Sequence, residues 1–148
     1  MEKIITCFIT GSHTEDIRKN YTEFSGYPEV KTVYLAGESS PLPHLQPTGG
    51  GSLCQTETLI RLSDICDTPY LLLSNKPTTI RLKPTALKRF VQIARATSAA
   101  FVYADYYEDK NGQICPHPLI GYQQGSLRDD FNFGSLWFID TRQFKEAV

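Results

Sequence analysis

Four apolar runs of strand length, separated by stretches with helical spacing, constrain the fold of this chain more than any other feature. The first contains Ile4, Ile5, Cys7, Phe8 and Ile9. It does not alternate, which is what a strand covered on both faces of a parallel sheet requires. The second run is 30–35, the third 70–73 and the fourth 99–104. Ser12 followed by Glu15 has the form of a capping box, so a helix is expected from there through Ile17 to about Tyr21 or Phe24, ended by Gly26 and Pro28.

Gly37, Pro41, Pro43, Pro47 and the run Gly49-Gly50-Gly51 predict a long loop without regular structure. The triple glycine lacks the lysine and the preceding strand of a phosphate-cradling loop, so it is read as a flexible linker. From Thr56 the spacing becomes helical, with Leu59, Leu62, Ile65 and Cys66 on one face, and Pro69 ends it. Pro84 stands where a first helical residue would, ahead of an amphipathic helix carrying Ala86, Leu87, Phe90, Val91, Ile93 and Ala94. Asn111-Gly112 signals a type I′ hairpin pairing 106–108 with 113–115. A strand over 136–139 follows, then a helix from Thr141 that is cut off at Val148, so the chain reads as truncated at its C-terminus.

Strands alternating with helices over short connections predict a single α/β domain, 1–148, with a right-handed, mostly parallel, three-layer sheet. Ligands of such sheets bind beyond the carboxyl ends of the strands, which directs attention to 10–13, 36–40, 74–77 and 105–108. With 15 Lys plus Arg against 16 Asp plus Glu, the net charge of -1 supplies no bulk field for nucleic acid or acidic lipid. A small, specific ligand is expected instead. Cys7, Cys54, Cys66 and Cys115 are widely spaced, which predicts buried reduced thiols and no zinc site. His13, His44 and His117 have no metal-ligand spacing. The N-terminal apolar run is too short to span a membrane, and with the unpaired cysteines it predicts a cytoplasmic protein.

Several segments together, IITCFITGS, VKTVYLAGES, TPYLLLSNKP, FVYADYYEDKNG and GSLRDDFNFGSLWFIDTRQFKEAV, resemble family 2 glycosyltransferases of the GT-A type over nearly the whole chain. The resemblance implies a nucleoside diphosphate sugar as partner and an unknown glycan or lipid as acceptor; the charge balance and the short apolar run already predict no nucleic acid and no membrane span. It implies nucleotide-sugar contacts from Thr10, Gly11, Glu38, Ser74, Lys76 and Asp105. Glu38 stands in for the acidic residue that holds uracil or ribose in the family. The family's DxD carboxylates hold manganese or magnesium between the nucleotide phosphates, a task for hard oxygen ligands. Ser74, Asn75 and Lys76 occupy those positions, so no metal ligand and no certain cofactor is assigned.

Lys76 has two readings, a cation that neutralises a diphosphate in place of the metal, or a solvated loop lysine. Asp105 either serves the ligand or caps its own turn. Tyr103, Tyr106 and Tyr107 offer a stacking face, with at least one of them expected to be buried by strand alternation. Asp129 and Asp130 beside Arg128 are the candidate catalytic residues on the acceptor side, against the alternative of a surface ion pair. The family's usual general base, after a Gly-Gly-Phe-Asp-like stretch, is implied to lie beyond Val148. The alternative function is a non-catalytic GT-A-like interaction or regulatory domain. An unfinished sheet with an open edge predicts a homo-oligomer.

Overall fold

The computed structural model describes residues 2–121, 123–125 and 131–148. Five strands and three helices alternate through the first two-thirds of the chain: β1 (Ile5–Ile9), α1 (Thr14–Ser25), β2 (Val30–Leu35), β3 (Gln46–Pro47), α2 (Thr56–Ile65), β4 (Tyr70–Ser74), α3 (Ala86–Thr97) and β5 (Phe101–Val102). A hairpin of β6 (Tyr106–Lys110) and β7 (Gln113–His117) follows, then β8 (Leu136–Asp140) and α4 (Thr141–Ala147). The main sheet is six-stranded and mostly parallel, in the order β3-β2-β1-β4-β8-β5.

The non-alternating apolar runs do what their composition demands. All five residues of β1 and all five of β4 are buried. Cys7, Ile9 and Leu72 pack on one face with Ile17 and Phe24 of α1 and with Leu87, Phe90 and Val91 of α3. Phe8, Leu71 and Leu73 pack on the other with Leu62 of α2 and Phe144 of α4. Two buried faces and two helical layers make the expected α/β sandwich. Among the described residues no helix is long and apolar enough to cross a membrane.

β8 runs antiparallel to both its neighbours, β4 and β5. It places Phe138 fully buried between Tyr70, at 4.9 Å, and Phe90, at 5.5 Å between ring centroids. The fourth predicted strand, 99–104, shortens to Phe101–Val102, which among the described residues pairs on one side only. Both edge strands, β3 and β5, are two residues long, which limits the open edge on which the oligomer expectation rested.

Several local expectations are corrected. No capping box forms at Ser12: α1 starts at Thr14 behind His13, and no side chain caps it. The chain leaves β1 through Gly11, which lies against Ile17, and this close approach sets the entry to the helix. Pro84 precedes the N-cap Thr85 rather than opening α3. The loop 37–51 contains the short strand β3, paired with Tyr34 and Leu35. Its triple glycine is no free linker, because it lies on α2: a Cβ on Gly50 would meet Thr58 Oγ1 at 3.0 Å, and one on Gly51 would meet Gln55 Oε1 at 2.8 Å. Of the cysteines, Cys7 and Cys66 are buried, but Cys54 is exposed and Cys115 half-buried, and all four are free. Burial, and then proximity to Cys66, pushes the Cys7 thiol far above its ordinary range, so it stays protonated. The hairpin is as expected, with Asn111 at φ 55° and Gly112 at φ 86°.

Candidate functional site

Parallel strands deliver their following loops to one end of the sheet, and two hydrogen bonds tie three of those loops together. Ala36 N donates to Ile9 O at 2.8 Å, and Thr10 Oγ1 donates to Ser74 O at 2.9 Å. The ends of β1, β2 and β4 therefore meet. Between the start of α1 and the loop after β2 opens a cleft of about 380 Å³. Gly11, Ser12 and Thr14 line one side, Ala36, Ser39 and Ser40 the other, with Ile17 and Leu35 supplying apolar wall. Hydroxyls over an uncharged, partly apolar surface suit a neutral ring system with a polar edge.

Gly11 is the residue this cleft cannot exchange. A Cβ there would sit 2.4 Å from Ile17 Cγ1, and Ile17 is itself buried. Gly11→Ala is expected to cost about 1–3 kcal/mol through overpacking, read as a lower midpoint in thermal unfolding. An unchanged midpoint would show that Ile17 moves aside at little cost.

The loop after β4 is held by the chain before β8. Asn75 N donates to Ser135 O at 3.0 Å, and Asn75 Nδ2 donates to Gly134 O at 3.2 Å. Asn75 Oδ1 is buried and finds no partner among the described residues. Ser74 is buried, its hydroxyl donating to Lys76 O at 3.4 Å. Lys76 is exposed, and its ammonium pairs with no described residue. Of these three side chains one is a cation and one a buried hydroxyl engaged with a carbonyl, so Asn75 Oδ1 alone is left as a hard oxygen, too few ligands for a divalent ion. No step through a metal is derived at these positions.

From Thr78 to Leu82 the chain is fastened along α1 as a strap. Asn20 Nδ2 donates to Thr78 O at 2.7 Å and Asn20 Oδ1 accepts from Ile80 N at 2.8 Å. Thr79 Oγ1 donates to Asp16 Oδ1 at 2.8 Å, and Leu82 N donates to Glu23 Oε1 at 2.9 Å. Tyr27 Oη closes the series, donating to Leu82 O at 3.1 Å. Burial, and then the Glu23 carboxylate, raises the Tyr27 pKa, which keeps the phenol a donor. Asn20 is fully buried and was missed by pattern reading. The available signal was an amide on the apolar stripe of α1 between Ile17 and Phe24, where only a partnered polar group is tolerated.

The remaining candidates are dispersed. Glu38 is exposed, between the cleft residues Gly37 and Ser39. Asp105 Oδ1 accepts from Leu119 N at 2.7 Å and so fastens the return leg of the hairpin; it does not line the cleft. Asp129, Asp130 and Arg128 lie outside the described residues. Tyr103 Oη donates to Ile120 O at 2.8 Å, Tyr106 stacks on His117 at 4.8 Å, and Tyr107 is exposed.

A wider recess, about 620 Å³, opens at the other end of the sheet near Asp67, Thr68, Asp140, Arg142 and Lys145. Asp67 is paired there with Lys31, whose hydrogen bond holds the carboxyl below its usual range. Its charges are of mixed sign and it lies at the amino end of β4, so the smaller cleft remains the candidate. The chain matches no protein-family model and no curated protein sequence.

Proposed function

We propose that this domain binds a nucleoside diphosphate sugar in the cleft between the start of α1 and the loop after β2, beside the end of β4, and that it is a glycosyltransferase domain of the GT-A type. The observation that carries this reading is the convergence of Thr10, Ala36 and Ser74 beside a hydroxyl-lined, uncharged cleft. On this reading the base and ribose take the cleft, with Glu38 at its rim. Lys76, unpaired among the described residues, neutralises the diphosphate by charge-assisted hydrogen bonding. Asp129 and Asp130 are the candidate catalytic residues on the acceptor side.

Calorimetry with UDP and GDP sugars, with and without manganese, tests it. Saturable binding is expected, weakened about tenfold or more by Lys76→Ala and insensitive to manganese. If no nucleotide sugar binds, the reading fails. The second reading, a non-catalytic interaction or regulatory domain, is favoured by one observation: at the positions of the family's metal carboxylates stand Ser74, Asn75 and Lys76, none a carboxylate, with the Ser74 hydroxyl and Asn75 Nδ2 engaged in internal hydrogen bonds.

A further inference from the structure

The net charge of -1 hides a strong segregation of charge. Between Thr68 and Ala104 the chain has six cations, Lys76, Arg81, Lys83, Lys88, Arg89 and Arg95, and no aspartate or glutamate. All six are exposed. Among the described residues only Arg95 has an acidic partner, Glu2 at 4.0 Å. Asp16 and Glu23 face the strap from α1, but they accept from Thr79 and Leu82 rather than pairing with a strap cation. The first turns of α1 and α2 contain acidic residues, as the helix dipole favours, whereas those of α3 and α4 have none, and α3 has Lys88 and Arg89 as its third and fourth residues. Stability alone does not select that arrangement.

Exposed apolar side chains adjoin these cations. The register of the hairpin sets Tyr107 opposite Pro116 and Asp109 opposite Ile114, which puts the four on one face. Tyr107 is 64% exposed and Ile114 62%. Asp109 on that face is engaged by the turn, its Oδ1 accepting from Gly112 N at 2.8 Å. Lys83 Nζ stands 5.9 Å from the centre of the Tyr107 ring and so joins the strap to the hairpin. On α3, Ile93 lies one turn beyond Arg89 and is 36% exposed.

We propose that the basic segment 76–89 and the outer face of the β6–β7 hairpin form a surface that docks peripherally on an anionic lipid bilayer. Cations reach the headgroups while an aromatic and aliphatic strip enters the interface, the combination that holds a protein on a membrane without spanning it. A second copy is the poorer occupant, because it sets the same unpaired cations against each other. A nucleic acid leaves the aliphatic Ile114 and Ile93 without a role. The proposal goes beyond the nucleotide reading and does not depend on it; it also replaces the expectation, drawn from net charge alone, that acidic lipid is no partner.

The test is co-sedimentation of the whole chain with phosphatidylcholine vesicles, with and without phosphatidylglycerol, at low and high salt. Binding is expected only with phosphatidylglycerol present and is lost at high salt. Lys83→Glu with Lys88→Glu is expected to reduce partition at least about tenfold, since each cation near an anionic surface is worth about fivefold. Tyr107→Ser with Ile114→Ser is expected to weaken it severalfold while leaving the salt dependence unchanged. Circular dichroism establishes that these surface variants fold. Equal binding to neutral and anionic vesicles, wild-type binding by the charge-reversed pair, or stronger binding to DNA than to vesicles would each overturn the proposal. So would self-association abolished by the same substitutions without any vesicle binding. Nucleotide calorimetry on the same variants keeps failure of this surface separate from failure of the cleft.

Discussion

Phe138→Ala is expected to destabilise the domain by about 3–5 kcal/mol, the range for deleting a buried aromatic side chain. Phe138 is fully buried and lies between Tyr70 and Phe90, so the truncation removes two aromatic contacts and leaves a cavity flanked by the sheet and α3. It also lies on β8, which pairs with β4 over five residue pairs and, among the described residues, alone connects β5 to the rest of the sheet. In urea the midpoint is expected to fall with little change in slope. For a chain of this length each kcal/mol corresponds to about 2–4 °C in melting temperature. A loss under about 1 kcal/mol would mean that the site collapses freely around the missing ring, contrary to the packing described.

Asn20→Ala is expected to cost about 2–4 kcal/mol, because it removes two hydrogen bonds and leaves the strap's Thr78 carbonyl and Ile80 amide unpaired. The consequence is local as well as global. The strap follows directly on Lys76, and its loosening is expected to speed hydrogen exchange at the Ile80 and Leu82 amides. Thr79→Ala is the control: its bond to Asp16 is solvent-exposed, and the expected loss is about 0.5 kcal/mol or less. Unchanged protection at Ile80 in Asn20→Ala would show that something else holds the strap.

The parts of this fold that were legible are those whose cause is local. A run without alternation, such as 4–9, is buried on both faces wherever it ends up. The bounds of α2 at Thr56 and of the hairpin turn at Asn111-Gly112 follow from helical spacing and from the φ preferences of two residues. The rule that ligands gather at the carboxyl ends of parallel strands led from there to the loops that hold Thr10, Gly11 and Ser74. Charge segregation between 68 and 104 was also legible, but summing over the whole chain cancelled it.

Other features had no local cause to read. Ser12 and Glu15 have the spacing of a cap, yet α1 begins at Thr14 behind His13, after Gly11 has passed close against Ile17. The triple glycine looks flexible in sequence and is held by Thr58, Arg61 and Gln55, residues of a helix it precedes. Ser74 looks like a loop residue until Leu136 pairs with it and buries it.

Sequence alone determined where the longer strands and helices lie, because burial on two faces or on one stripe leaves a periodic trace in composition, whereas the two-residue β3 leaves none. Tertiary structure alone decided that β8 enters antiparallel between β4 and β5, that Asn20 clasps the strap, and that the cleft opens beside Gly11. Those outcomes depend on which distant groups satisfy each other's hydrogen bonds and fill each other's volume, and a backbone carbonyl at Thr78 gives no sign in the sequence that an amide 58 residues earlier will meet it.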